Sequence, residues 1–199
     1  MTEAGRVYGG RSESERRADR RSRLLAAGLE SFGTEGWHAT TIEKLCTSAG
    51  VATRSFYEEF SSREALLLAV FEDVLAGVVR EVTPQVTGKR GMEAQLRAGL
   101  GGYVEYLTAD PRRARVVHHE VRVAGMLETQ RHAMTVRFAE LIIRTARLTP
   151  SPRSRILGVA LAGAVSEALV DWVEHPEPRP ETGSVVEVLV QLFEAAIRS

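Results

Sequence analysis

The stretch at residues 40–60, TTIEKLCTSAGVATRSFYEEF, constrains the chain most, because it reads as two short helices joined by a tight turn. Thr40 and Glu43 stand at the spacing of a capping box, in which hydroxyl and carboxylate each take a free backbone N–H and so start a helix. Ile42, Leu45, Cys46 and Ala49 then fall on one side. Gly50 follows where a chain leaving a helix commonly adopts positive φ, and Val51 is placed to turn back into a core. The second helix starts at Ala52 or Thr53, with Phe56 and Phe60 inward and Thr53, Arg54 and Tyr57 outward.

Helices this short are marginal in water and need a third element to pack on. It precedes them: Ala18, Leu25, Leu29 and Phe32 recur at helical spacing, and Gly33 and Gly36 end the run before Trp37. Three helices around a small core, the last exposed along a polar face, is the geometry that places a helix in a DNA major groove.

The block LLAAGLESFGTEGWHATTIEKLCTSAGVATRSFYEEFSSREALL resembles the N-terminal domain of the tetracycline-repressor (TetR) family of transcription regulators. The matches are the Phe-Gly-x-x-Gly-Trp turn at residues 32–37, Thr40-Thr41-Ile42, Ala49-Gly50-Val51, Phe56-Tyr57, Phe60 and the helix opening from Ser62 to Leu66. The resemblance implies an all-α fold: a basic arm and three-helix DNA-binding head at residues 1–62, then a helical ligand-binding and dimerisation body at 63–199 that includes a linking helix at 63–82. It implies a homodimer on a near-palindromic double-stranded operator, a repressor released by a small molecule. Tyr57 and the helix openings at Thr40, Thr41 and Arg63 would hold phosphates, while Thr53, Arg54 and Ser55 face base edges. Helix N-termini do favour anions, and arginine pairs bidentately with guanine. The chain departs from the family pattern at Ala52, where a capping serine is common and Thr53 is the candidate substitute. It departs again at Arg54, where a small residue is common, and at Glu58 and Glu59, where a basic or histidine residue often helps to hold phosphate.

The arm from Arg6 to Arg23 carries seven arginines against Glu13, Glu15 and Asp19. Arg16, Arg17, Arg20, Arg21 and Arg23 straddle the first helix start, where they could meet phosphate or a minor groove. Net charge is zero, which argues against unspecific coating of DNA and leaves room for local positive patches. No signal peptide is discernible, so the expected location is the cytoplasm, with no membrane partner. Cys46 is the single cysteine and reads as a small buried apolar residue.

Ser61 and Glu64 repeat the capping-box spacing ahead of the linking helix, which ends before Pro84. Further helices follow at residues 92–108 and 112–148, the latter interrupted near Gly125, with Pro111 suited to a first helical turn. Gly99, Gly101 and Gly102 either let helices approach closely or leave room for a ligand. The body is larger than pairing requires, and Phe71, Val74, Tyr103, Tyr106, Met126, Met134, Phe138 and Trp172 are the candidate lining of a mainly apolar effector pocket. His119, Glu120 and Arg122 are candidates for its polar end. The last two helices, separated by the proline-rich 175–180, are apolar over more than one stripe. This suggests a two-fold four-helix bundle through Leu157, Leu161, Ala164, Val165, Leu169, Leu189, Leu192, Phe193 and Ala196, although periodicity does not separate this from burial within one chain.

Catalysis is not expected, and neither is a cofactor or metal. His118 and His119 are adjacent on a helix and diverge, Ser166 and Glu167 show no triad partner in the sequence, and no phosphate-binding or dinucleotide fingerprint is present. The rival readings are a helical protein-interaction module without DNA binding and a constitutive DNA binder without ligand. Signal transmission is expected along the linking helix, from a ligand wedged against Phe71 or Val74 to Arg63 at the DNA.

Overall fold

The computed structural model describes residues 12–125 and 128–198, and among these there is no strand. Met126 lies outside the described residues. Helix α1 (Glu13–Thr34) begins in a capping box between Ser12 and Glu15. It buries Leu24, Ala27, Gly28, Ser31 and Phe32. Ala18 is exposed and Leu25 and Leu29 are half-buried, because α1 lodges between α2 (Ile42–Ala49) and α4 (Arg63–Val86).

The cap of α2 is Thr41, whose hydroxyl accepts from the Lys44 N–H; Thr40, expected in that role, is fully buried and donates its hydroxyl to the Gly36 carbonyl at 2.8 Å. Gly50 ends α2 at φ 60°, a conformation that costs a residue with a Cβ, and the Val51 N–H closes on the Cys46 carbonyl. Helix α3 (Thr53–Glu59) starts without a side-chain cap, so Thr53 does not replace the missing serine. At α4 the cap is Ser62 rather than Ser61. The helix runs past Pro84, because this proline is exposed and the carbonyl its missing N–H leaves over can be hydrated. Thr87 then ends it with both N–H and hydroxyl on the Thr83 carbonyl.

Helix α5 (Met92–Thr108) lies on α4, and Gly102 lets them close: a Cβ there would stand 2.9 Å from the Gln85 side chain. Asp110 caps α6 (Pro111–Ala114), which passes into a π-helical turn, Arg115–Glu120, and then α7 (Val121–Val123). Gly125 interrupts the chain as expected, at φ 63°. Helix α8 (Glu128–Thr145) packs along α9 (Pro152–Glu174), and α10 (Thr182–Arg198) returns onto α5 and α9. One helix among the described residues, α9, is long and apolar enough to cross a membrane; six of its apolar or small residues, from Gly158 to Trp172, are buried in the body.

A single core continues from Phe32, Leu45 and Phe56 in the head to Leu107, Leu169 and Phe193 in the body. Full burial of each such side chain contributes about 1.5–3 kcal/mol. The head is therefore joined to the body through α1, α4 and α6 rather than hung on a linker.

Candidate DNA interface and effector cavity

On the head, α3 presents Thr53, Arg54 and Tyr57 to solvent and keeps Phe56 inside. Arg54 is 94% exposed and Tyr57 56% exposed, with the Tyr57 ring held edge-on to Phe56. Ser55 is half-buried. Thr41 is exposed at the start of α2, and with Tyr57, Ser62 and Arg63 it borders a shallow groove where α2 and α4 both begin. Two helix N-termini beside a phenol suit a backbone phosphate. Thr40 has no access to that groove surface. Arg63 is also engaged within the head, where its Nη1 donates to the carbonyls of Trp37 and Thr40 and the guanidinium lies 3.7 Å over the Trp37 ring.

Four arginines expected on phosphate tie the head together instead. Arg17 and Arg20 donate to Glu59 at 3.2 and 2.8 Å, Arg23 donates to the carbonyls of Ala49 and Gly50, and Arg21 covers the Phe60 ring. The Glu59 carboxylate is thus buried as the clasp of α1 on α3, and only Glu58, 49% exposed, faces outward, 3.8 Å from Arg54. Burial pushes the Glu59 pKa up, but the bonds from Arg20 and Arg17 outweigh it and hold it below the usual carboxylate range. A depressed folded pKa gives stability that is present above the unfolded value, about 4.3, and lost as pH falls through the folded one. Glu59→Gln should therefore cost about 2 kcal/mol at pH 7. In urea unfolding at pH 7, 5, 4 and 3 the difference from wild type should close below pH 4; a constant difference would deny the carboxylate this role.

A second buried carboxylate joins head to body. Glu120, on the π turn and 1% exposed, accepts from the Trp37 backbone N–H at 2.6 Å and from Arg115 Nε at 2.8 Å, and lies 2.9 Å from His119 Nδ1. Gly36, at φ 86°, bends the chain so that its backbone lies against this carboxylate. Arg115 also donates to the Thr34 carbonyl, and His119 reaches Glu174 on α9. Arg122 pairs with Glu167 on the outside, so none of His119, Glu120 and Arg122 forms the polar end of a pocket.

The body carries a half-open cavity of about 600 Å³ between α4, α5, α8 and α9, with Arg131 and Arg137 of α8 also on its lining. Leu75, Val78, Val82, Leu100, Ile142 and Val165 supply most of its apolar wall, and Gly99 leaves part of it open. Of the expected lining residues, Tyr103, Met134 and Phe138 face it, Tyr103 and Phe138 being stacked at 5.6 Å. Phe71 and Val74 are core residues that precede the cavity-lining part of α4, Val74 directly before Leu75; Tyr106 fits over Gly77 under Arg113, and Trp172 is bonded to the Pro180 carbonyl. None of those four borders the cavity.

Sequence reasoning missed one buried polar feature of the wall. His118, the neighbour of His119, turns the opposite way: Nε2 lies 3.1 Å from the Tyr103 hydroxyl and Nδ1 3.0 Å from Ser166 Oγ. Burial drives the His118 pKa down to about 4, with Arg122 nearby acting in the same direction, so the ring is neutral at physiological pH. Burial likewise pushes the Tyr103 phenol up. The π turn, which advances side chains out of α-helical register, is a feature that helical spacing in the sequence does not show.

On the terminal helices, Leu161, Val165, Leu169, Leu189 and Phe193 are buried inside one chain and cannot form a surface for a partner; Leu157, Ala164 and Ala196 are half-buried. The outward apolar residues are Ile156, Val188 and Leu192.

A three-helix head with an exposed second helix of a helix-turn-helix, fused to a cavity-bearing helical body, defines a DNA-binding regulator of the one-component kind. Residues 24–70 match the family model of bacterial regulatory proteins, tetR family. The HTH-type transcriptional activator FasR of Mycolicibacterium smegmatis is 29% identical over 196 residues, covering 94% of this chain and 87% of that one. The fatty acid metabolism regulator protein of Bacillus subtilis is 22% identical over 179 residues, covering 84% and 92%. The fold of Bacillus subtilis FadR, solved in complex with stearoyl-CoA, superposes with a TM-score of 0.74 at 16% identity over 88% of this chain and 98% of that one. Residues 24–70 thus carry the DNA-binding domain of the tetR family, the chain is similar over most of its length to transcriptional regulators, and it is read accordingly as a DNA-binding transcriptional regulator.

Proposed function

We propose that this protein is a cytoplasmic homodimeric regulator, with a DNA-reading head at residues 1–62 and a sensing body at 63–199, whose hold on a two-fold operator is loosened by a long-chain acyl thioester in the body cavity. The observation that carries the reading is the pairing of an exposed α3 face at Arg54 and Tyr57 with a large apolar cavity walled by α4, the helix that leads directly out of that head. The acyl chain follows from the cavity's apolar wall together with the likeness to FadR, which was solved with stearoyl-CoA. A dimer would set its two α3 helices about 34 Å apart, or a multiple of it, on successive major grooves. It represses where its operator overlaps the promoter, the arrangement proposed for this chain; the name of FasR, an activator, records the opposite direction in a relative.

The effector acts through α4 and the π turn. Phe71 and Val74 do not meet the cavity, but Leu75, Val78, Val79 and Val82 do, beginning with the residue after Val74 on α4. His118 brings the wall into contact with the π turn that carries Glu120 and hence the Trp37 backbone. Close-packed cores pass such displacements on because they tolerate neither void nor overlap.

Selection from random duplexes should yield a two-fold sequence, and stearoyl-CoA should weaken binding to it while operator weakens stearoyl-CoA binding by the same factor. Absence of any enriched two-fold site would favour the protein-interaction reading, and equal stearoyl-CoA affinity with and without operator would favour constitutive DNA binding. Within the head, Tyr57→Phe should weaken all duplexes alike, by about 1 kcal/mol, whereas Arg54→Ala should cost about 1–3 kcal/mol at one base pair only. Uniform weakening by Arg54→Ala would remove that residue from base reading.

A further inference from the structure

Tyr103, His118 and Ser166 form a closed chain of two hydrogen bonds on the cavity wall. A neutral imidazole has one N–H, and each hydroxyl has one O–H, so three protons serve two links. If Tyr103 donates to His118, then His118 donates to Ser166 and the Ser166 O–H is left over. If Ser166 donates to His118, then His118 donates to Tyr103 and the Tyr103 O–H is left over. Donation from both ends at once would require an imidazole with no N–H. In either arrangement one O–H is unused, and it belongs to a side chain that lines the cavity. Neither hydroxyl has another partner among the described residues; Thr108 and Thr135, by contrast, return theirs to a carbonyl of their own helix.

We propose that this relay is an effector subsite: its single left-over O–H donates to an uncharged acceptor oxygen, a keto, ester or thioester carbonyl, carried by the acyl chain within the apolar cavity. The inference deepens the acyl-effector reading and rests on it for the chain, but the donor count depends only on the three side chains. An unmatched hydroxyl in an apolar wall costs free energy, so the site discriminates in favour of a ligand that satisfies it. At the relay itself a carboxylate is disfavoured, because one neutral donor does not offset the desolvation of a full charge; the cations on the cavity lining, Arg131 and Arg137, belong to α8 and not to the relay. His118, kept neutral by its burial, does not supply a second proton.

The relay can present its left-over O–H at either of two positions. Reversing both links moves the left-over proton from Ser166 to Tyr103, from α9 to α5, without breaking the chain. A bound ligand fixes one of the two directions.

The test is headspace partitioning of n-nonane and 2-nonanone over the full-length wild-type protein, Tyr103→Phe and Ser166→Ala. The two probes share chain length and volatility range and differ in a carbonyl. Nonane should bind all three proteins equally. 2-Nonanone should bind roughly fivefold more weakly to one of the two variants and unchanged to the other, the sensitive one marking the end that donates. Equal ketone binding in all three proteins, or weakening in both variants, would overturn the single-donor subsite, as would failure of both probes to bind wild type. Failure of stearoyl-CoA to bind, with the nonanone pattern intact, would refute only the acyl-thioester reading.

Discussion

Replacing Glu120 by alanine lowers the stability of the protein by about 3 kcal/mol, the expected loss when one partner of a buried, hydrogen-bonded charge is removed and the other stays. Three groups lose their acceptor together: the Trp37 N–H, the Arg115 guanidinium and the His119 ring. Arg115 is about a third exposed and recovers some hydration, which keeps the figure at the lower end of the range for buried pairs. For a chain of this size the melting temperature falls by about 6–12 °C. Glu120→Gln retains an acceptor for the Trp37 N–H but not the charge facing Arg115, and should lose about half as much. The two tryptophans report on the two sides of this joint, Trp37 in the head and Trp172 in the body. In Trp172→Phe background, urea unfolding followed by fluorescence should show the Trp37 environment loosening at lower denaturant in Glu120→Ala than in Glu120→Gln. The variant should also transmit less of the effector signal, so that stearoyl-CoA and operator oppose each other by a smaller factor. Unchanged stability in Glu120→Ala would remove the carboxylate as a joint between head and body.

The head was legible in the sequence because its constraints are local. Gly50, Val51, Phe56 and Phe60 are tied to one another by the geometry of a turn and two short helices, and each stands in the structure where its spacing places it. Errors of one residue at Thr40 and Ser61 arose because two hydroxyl residues stand side by side at both helix starts, and only the fold decides which one stays outside. Glu59 shows a different limit: as a charge in sequence it looked opposed to DNA, but its partners Arg17 and Arg20 lie some forty positions earlier. Long-range pairing of that kind leaves no periodic trace. The same holds for the His118 relay, whose members come from α5, the π turn and α9. In the body, aromatic and methionine content pointed to a pocket but not to its walls, since Tyr106 and Trp172 fill space between helices as readily as Tyr103 and Phe138 line a cavity.

The same burial pattern relocates the surface on which two chains should meet. On α9 the outward positions Ile156, Ala160 and Gly163, and on α10 Val188, Leu192 and Ala195, both follow the i, i+4, i+7 spacing of one helical stripe. Ile156 is 70% and Val188 64% exposed in the single chain, and a Cβ added at Gly163 would meet no atom within 4 Å. Small residues between larger apolar ones let a partner helix approach closely, and a two-fold axis between the helix pairs would cover both stripes at once. Val188→Asp combined with Leu192→Asp would place two carboxylates per chain, four per dimer, in that contact without a positive partner. Each would cost several kcal/mol if buried, so the pair separates instead. The double variant is therefore expected to sediment as a monomer at micromolar concentration, its dimer dissociation constant raised by more than about a thousandfold. Its far-UV circular dichroism should match wild type, because neither side chain supports the fold of its own chain. Operator affinity should fall with dimerisation, since one head alone holds only one half-site. Phe193→Ala gives the contrasting result: that ring is wholly buried within the chain, and its loss should cost about 3–5 kcal/mol of folding stability rather than act first on association. A double aspartate variant that remains dimeric would place the two-fold contact elsewhere on the body.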